Sequence, residues 1–366
     1  MKFKNKLFER LKGEEYFLEH VCPTGYEKSR GGRSDYFARH GFDVPMSYSN
    51  YYSKLNGIAS DRYMSTEVYY LYVLPALNRM NFASAYTDKN MFSVLFSGFK
   101  QPETVIKNMN GIFYNEEGTA INICRAVELC ILENCDCIIK PAVDSSEGKG
   151  VALMNRHDRN SIIETFERYG VNFIVQRKLL QCDAMALFNP TSFNTMRIYT
   201  YRSLSGELYL DKAFIRFGGV GAIKDNVSAG GGLVSLDSNG CASDNIFRFK
   251  DMSKGSLAAD KGIKNFIVPG FREVKDFVFK LHQRMPYFDY IGWDIGLCED
   301  GEPVFVEFNV VPFLEGPQMA SGPMFGELLD EVMYRLKDIR REERKYWVNI
   351  IKPGFENFTL MSAAQI

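Results

Sequence analysis

The alternation of apolar and polar positions is clearest towards the C-terminal end. From Tyr290 to Gln318 the chain reads YIGWDIGLCEDGEPVFVEFNVVPFLEGPQ. An apolar run, Tyr290 to Ile295, is followed by the turn Glu299-Asp300-Gly301-Glu302 and a second apolar run, Pro303 to Asn309. Two such runs around an Asp-Gly turn predict a β-hairpin. Strand side chains alternate between faces, so Glu307 and Asn309 point one way and Phe308 the other. The hairpin brings Asp294 beside that pair.

Upstream, the spacing of apolar residues predicts three regions. Residues 1–84 read as mainly helical, with an apolar stripe at Phe3, Leu7, Leu11 and Phe17. A short helix is predicted over Ser34 to His40. The tyrosine-rich segment Ser47 to Tyr52 precedes a second helical region, and Thr66 is the expected N-cap of a helix reaching Arg79. Residues 85–183 read as a compact α/β unit. It holds a short helix over Met91 to Phe96, a strand starting near Thr104, a helix over Ile121 to Glu133, and the strand Cys137 to Pro141. The loop Asp144 to Gly150, the strand Val151 to Met154, the helix Arg159 to Tyr169 and the strand Phe173 to Gln176 complete it. Gly170 is a good residue to end that helix. Residues 184–345 are richer in strands, including Thr195 to Tyr201, Leu208 to Phe217 and Leu233 to Leu236. Helices are predicted over Phe271 to Arg284 and Met324 to Arg344, and residues 346–366 read as a peripheral tail.

Composition narrows the class. Hydrophobic residues make up 46% and aromatics 14% of the 366 residues, which argues against disorder. The net charge of −1 provides no global basic field for nucleic acid or an anionic membrane. Eight cysteines lack the paired spacing of a zinc site and read as free thiols. No apolar run is long enough to span a membrane, and the charged N-terminus has no signal-peptide core, so a reducing cytoplasm is expected.

The candidate chemistry is polar and scattered along these elements. Two carboxylates and an amide oxygen, from Asp294, Glu307 and Asn309, suit a hard cation such as Mg²⁺. The alternative pairs Glu307 with Arg216 in the core. Lys140 ends a strand just ahead of the polar loop Ser145-Ser146-Glu147-Gly148-Lys149-Gly150, where glycines admit phosphate oxygens to backbone amides and lysines neutralise them. A plain surface turn has the same composition. The loop is not a Walker A motif and holds no GxGxxG. Gln176-Arg177-Lys178-Leu179 follows a strand and precedes Asp183, as either a base-binding hinge with a ribose-binding acid or a charged linker. Arg197 and Arg216 each interrupt an apolar strand, as an anion site or as simple ion pairs.

Together these motifs resemble the ATP-grasp superfamily. The resemblance runs through Asp88-Lys89, Ile139-Lys140-Pro141, the SSEGKG loop, Gln176 to Asp183, Arg197, Asn226 with its glycines, Asp294, and Glu307 with Asn309. It covers roughly residues 85–320. "FNTMRIYTYRS", "SAGGGLVSLDSNG" and "IGWDI…VFVEFN…Q" are similar to the sugar-transfer-associated ATP-grasp family, which is linked to cell-surface polysaccharide synthesis. The hinge departs from the superfamily in beginning with Gln176 where Glu is common.

The resemblance implies an ATP-grasp fold (α/β, α+β), in which two α+β subdomains clasp ATP behind a helical N-terminal region. It implies that Lys89 and Lys140 touch phosphates. The loop with Ser145, Ser146, Gly148, Lys149 and Gly150 would cover the triphosphate. Gln176, Arg177, Lys178 and Leu179 would hold adenine, and Asp183 the ribose. Asp294, Glu307 and Asn309 would hold one or two Mg²⁺ ions. Arg197 would stabilise the transferring phosphoryl group, with Arg216 assisting or binding the acceptor. The expected function is an ATP-dependent carboxylate–amine ligase acting through an acylphosphate on small-molecule or glycan-linked substrates, in association with glycan-synthesis enzymes. A kinase acting on a hydroxyl and a nucleotide-binding scaffold of a glycan assembly complex are the alternatives.

Overall fold

The computed structural model describes residues 32–143, 150–219, 221, 230–248 and 253–338. Ser34 accepts from the Phe37 amide and starts α1 (Asp35–Arg39). α2 (Met46–Asn56) ends at Gly57, whose φ of 82° is the left-handed geometry open to glycine. The tyrosine-rich segment expected ahead of a helix lies inside this one. Tyr48, Tyr51 and Tyr52 share its buried face at helical spacing. Ser65, not Thr66, caps α3 (Thr66–Val68). The chain continues through a π-helical turn, Tyr69–Val73, into α4 (Leu74–Leu77). Pro75 supplies a physical reason for the widening, because its ring conflicts with an α-helical carbonyl four residues back. α5 (Ala83–Tyr86) and α6 (Phe92–Leu95) lead to the sheets.

The first sheet contains β1 (Thr104–Met109), β2 (Ile112–Tyr114), β3 (Ala120–Ile121), β4 (Cys137–Pro141), β5 (Ala152–Met154) and β6 (Phe173–Arg177). Their order is β3-β2-β1-β6-β4-β5, with antiparallel pairing throughout. α7 (Ile123–Leu132) and α8 (Arg159–Tyr169) cover one face, burying Ile139, Phe173 and Val175. The other face carries Lys107, Ile174 and Lys140 in one row, since Ile174 is the register partner of both lysines.

A short α9 (Asp183–Ala186) precedes the second sheet. That sheet holds β7 (Thr195–Arg202), β8 (Leu208–Phe217), β9 (Gly232–Leu236), β10 (Ala242–Arg248), β11 (Ser253–Ser256), β12 (Tyr290–Leu297) and β13 (Pro303–Asn309). Its order is β11-β10-β9-β8-β7-β12-β13, also antiparallel. α10 (Leu257–Lys261) follows β11, and α11 (Phe271–Gln283) packs on one face with Val274, Val278 and Leu281 against Trp293 and its neighbours. In that layer Thr200 Oγ1 lies 2.8 Å from Trp293 Nε1, which donates to it, and 2.6 Å from His282 Nδ1. Burial, reinforced by Arg202, pushes the His282 imidazole down to about 3, so it is a neutral core residue. The opposite face carries Arg197, Tyr199, Tyr201, Asp294 and Tyr290. Its tyrosine end is covered by the N-terminal helices and by α12 (Glu315–Ser321) and α13 (Leu329–Arg335).

The helix expected from Met324 onward begins later. Phe325 and Gly326 have φ of 65° and 50°, and a 3₁₀ turn (Gly326–Leu328) intervenes before α13. The charged distal half of that prediction lies outside the described residues. None of the seven cysteines among the described residues forms a disulfide.

The two sheets are joined by very short spans. Lys178 N–H still donates to Asp136 O of the first unit, while Leu180 O already accepts from Glu299 N–H of the second. On the incoming strand, Lys100 O accepts from Phe305 N–H and Glu103 O accepts from Arg177 N–H. Leu179 in one connection, and Gln101 and Pro102 in the other, are the residues between.

Candidate active site

The lysine-bearing face of the first sheet and the charged end of the second meet around Lys89. The 3₁₀ turn Lys89–Met91 is capped by Asp88, whose side chain accepts from Asn90 N–H. Lys89 N–H donates to Ala142 O at 2.9 Å, directly after β4. The Lys89 side chain is buried, and its Nζ lies 3.3 Å from Glu307 Oε1 on β13. This ion pair ties the Lys89–Met91 turn, which also bonds to the end of β4, to the hairpin strand.

Lys140 sits beside it and is 7% exposed. Burial, and then the nearby Lys89 charge, push its ammonium down to about 8, with Glu307 acting in the opposite sense. A buried amine in that condition takes up a proton readily when an anion arrives. Lys107, the third lysine of this face, is buried and donates to Ser93 Oγ at 2.6 Å. Its signal in the sequence is a lysine inside an apolar strand, Val105-Ile106-Lys107.

On the second sheet the ladder sets Asp294 opposite both Glu307 and Arg197. Asn309 lies two residues past Glu307, on the same face. Arg197 grips the Asp294 carboxylate with Nε on Oδ1 and with Nη2 on Oδ2, the latter at 2.9 Å. Arg216 Nη1 lies 3.1 Å and 3.2 Å from the same two oxygens. Burial works to raise this carboxyl, and the two guanidiniums outweigh it, holding Asp294 below its ordinary value. The core pairing considered for Glu307 and Arg216 is thus replaced. Arg216 serves Asp294, and Glu307 serves Lys89.

This donor set fits a hard divalent ion at two of its three members. Glu307 keeps 31% of its side chain exposed, and Asn309 is half-buried on the same face. Asp294 differs, because its lone pairs are committed to Arg197 and Arg216. Its part in metal binding requires an arginine to give way. Among the described residues no cluster of three His, Cys, Asp or Glu side chains offers another metal site.

The hinge residues divide by side chain. Gln176 is buried on the lysine-bearing face and donates Nε2–H to Pro102 O at 3.1 Å, while its Oε1 has no hydrogen-bond partner among the described residues. Arg177 turns away, bound to Glu103 and, at 2.7 Å, to Glu133. Lys178 lies 3.4 Å from Asp136. Both side chains are thus engaged in ion pairs within the first unit, and both backbone N–H groups are bonded there as well. Leu179 is half-buried, and Asp183 is exposed at the start of α9. Gly150 has φ +73°, and a Cβ there would stand 2.8 Å from the Pro141 ring. Its tight approach to Pro141 therefore needs glycine. Ser145, Ser146, Gly148 and Lys149 lie outside the described residues, as does Asn226.

Two antiparallel sheets facing each other across paired lysines, arginines and acids define an ATP-grasp architecture. A model of the sugar-transfer associated ATP-grasp family matches residues 72–333, and the chain belongs to that family. No curated protein matches it. Among solved structures, the ATP-grasp ligase PsnB complexed with precursor peptide PsnA2 and AMPPNP is similar at 15% identity. That match has a TM-score of 0.41 and covers 71% of this chain and 61% of that one. VanG D-Ala:D-Ser ligase from Enterococcus faecalis matches at 14% identity and TM-score 0.42, over 69% of this chain and 61% of that one. D-alanine–D-alanine ligase from Bacillus anthracis matches at 14% identity and TM-score 0.40, over 70% and 69% respectively. The chain thus spans less than two thirds of the length of the first two. No helix among the described residues is long and apolar enough to cross a membrane.

Proposed function

We propose that this protein is an ATP-dependent carboxylate–amine ligase acting through an acylphosphate, in the cytoplasm, on substrates of cell-surface polysaccharide synthesis. The observation that carries this reading is the set of ion pairs gathered at the site. Lys89 with Glu307, and Arg197 and Arg216 with Asp294, are phosphate-binding cations already paired with metal-binding acids. MgATP satisfies both halves at once. Family membership supports the nucleotide, and the family's sugar-transfer association supports a glycan-related setting.

Lys89 and Lys140 bind the phosphates, and the loop containing Ser145, Ser146, Gly148, Lys149 and Gly150 covers them. Gln176 and the backbone of Arg177, Lys178 and Leu179 hold adenine, and Asp183 holds the ribose. Glu307 and Asn309, joined by Asp294 when an arginine releases it, hold one or two Mg²⁺ ions. The metal supplies charge neutralisation of the triphosphate. Arg197 orients the γ-phosphoryl group and offsets charge as the substrate carboxylate oxygen attacks phosphorus and ADP leaves. Arg216 holds the acceptor or the departing phosphoryl oxygens. An amine then attacks the acyl carbon, phosphate departs, and the amine loses a proton to give an amide.

Lys140 gives this reading a pH signature. Below about 8 it is charged before ligand arrives, and above that value it must take up a proton to meet a phosphate. Binding of MgADP at pH 8.5 is expected to take up roughly half a proton or more, falling towards zero near pH 6.5. Calorimetry in buffers of different ionisation heat measures this. Uptake that does not change with pH would show that Lys140 is charged in the empty site.

The deciding experiment incubates the protein with MgATP and pooled amino acids and uronic acids, followed by mass spectrometry. ADP and inorganic phosphate formed in step with an amide are the expected result. A phosphorylated acceptor in place of an amide would overturn the ligase assignment in favour of a kinase.

A further inference from the structure

Four residues of the segment 32–80, Asn56, Met64, Tyr69 and Asn78, make polar contacts with the chain just beyond the acid-bearing strand. Asn78 is buried, and its amide group donates to Tyr290 O at 2.8 Å and Val310 O at 2.7 Å. Its oxygen accepts from Tyr290 N–H at 3.0 Å. Asn78 thereby ties the start of β12 to the residue that follows Asn309. Tyr69 opens the π-helical turn and donates its hydroxyl to Pro312 O at 2.9 Å. Tyr199, two residues past Arg197 on β7, does the same for Phe313 O at 2.9 Å.

Further along, Gln318 of α12 is matched to the Met64 backbone in both directions, at 2.7 Å and 3.0 Å. Asn56 Nδ2 donates to Gln318 O at 2.9 Å. Gly292 completes the arrangement from the sheet side. A Cβ there would stand 3.0 Å from Pro312 Cβ and 3.4 Å from Arg197 Cδ. Pro312 therefore rests on the sheet face from which Arg197 and Asp294 project, in space that a side chain would fill.

We propose that residues 32–80 are a positioning element for the charged site, with Tyr69 and Asn78 as its positioning residues. By fixing the carbonyls of Val310 and Pro312, they hold Asn309 in register with Glu307 and hold Pro312 against Arg197. The π-helical turn has a use in this arrangement. It places the Tyr69 hydroxyl on Pro312 while the ring packs against Tyr70 and Tyr290. The part concerning Asn309 rests on the proposed function, in which that residue meets the nucleotide-bound metal.

The test uses the full chain and Tyr69→Phe, which deletes one hydroxyl and keeps the ring. Hydrogen exchange of amides 309–318, without ligand, is expected to quicken about tenfold while the rest of the second sheet is unchanged. In calorimetric titrations with ADP, the Mg²⁺ concentration for half-maximal binding is expected to rise about tenfold, as for loss of a supporting residue behind a metal ligand. ADP affinity without Mg²⁺ should not move, which separates positioning from general loosening. Asn56→Ala, at a half-buried position, is the second variant if Tyr69→Phe folds poorly. It should quicken exchange at the Gln318 end. Unchanged exchange in both variants overturns the proposal, as does quickened exchange with an unaltered Mg²⁺ requirement. If the unmodified protein binds no MgADP, the nucleotide reading fails, and the exchange measurement still decides whether these residues hold the segment.

Discussion

Arg197→Met is expected to lower ATP-dependent turnover about 10²–10³-fold, the usual loss when one donor to developing charge is removed. Stability falls as well. Arg197 and Arg216 share the buried Asp294 carboxylate, and removing a partner from a buried pair costs about 3–5 kcal/mol. Arg216 stays in place, so the loss belongs at the lower end of that range. The pH dependence follows from the direction of the Asp294 shift. In the parent protein its carboxyl is depressed. Its contribution is therefore present above the unfolded value, about 3.9, and is lost as pH falls through the folded one. The variant forfeits much of that contribution, so the two proteins should differ most in urea stability near pH 7 and converge as pH falls through the depressed folded value. A stability gap that persists unchanged into acid would assign the loss to packing of the arginine stem. Arg197→Lys keeps a charge and loses the fork, and its turnover should fall between the two.

Glu307→Gln is expected to have a second large effect, of a different kind. The carboxylate has two duties: it neutralises Lys89, and it is the more open of the two acids among the proposed metal donors. Its replacement should raise the Mg²⁺ requirement at least tenfold and cut turnover about 10²–10³-fold. Removal also strips Lys140 of the group that works to raise its pKa. The proton uptake expected on nucleotide binding should then begin at lower pH. Turnover of this variant against Mg²⁺ concentration, with proton uptake by calorimetry, checks both. A variant with unchanged Mg²⁺ dependence would place the metal elsewhere.

The hairpin was legible because each of its signals is local. The Asp-Gly turn and the alternation over Glu307, Phe308 and Asn309 fix which of those residues share a face, and their register agrees, whereas a bulge between Phe305 and Glu307 breaks the alternation and puts Phe305 in the core with Phe308. Local signals also served Cys137 to Pro141, Leu208 to Phe217 and the helix that ends at Gly170. The partner of Asp294 was not legible. It depends on β7 lying between β8 and β12, and strand order is not written in any short stretch of sequence. The tyrosine-rich helix was missed for another reason. Tyr48, Tyr51 and Tyr52 carry a helical stripe only when tyrosine is counted as apolar, and serines interleave it. Tyr69 and Asn78 escaped notice because their partners lie more than 200 residues away, Pro312 being 243 residues beyond Tyr69.

The short spans between the sheets have a mechanical consequence. Leu179 and the Gln101-Pro102 pair lie between the last bonds of one unit and the first of the other, so they act as two pins of one axle. Rotation about them breaks no sheet hydrogen bond. The axle is not free at every radius, however. Near it, Lys89 N–H grips Ala142 and the Asn90 side chain grips Asn108 O, while Phe92 is sunk among Phe305 and Phe308 of the second unit. Swinging motion is therefore largest at the far edges, β3 and β5, and smallest where Lys89 and Lys140 stand. The gap between the sheets can widen at those edges while the ammonium groups of Lys89 and Lys140, the proposed phosphate ligands, keep their places.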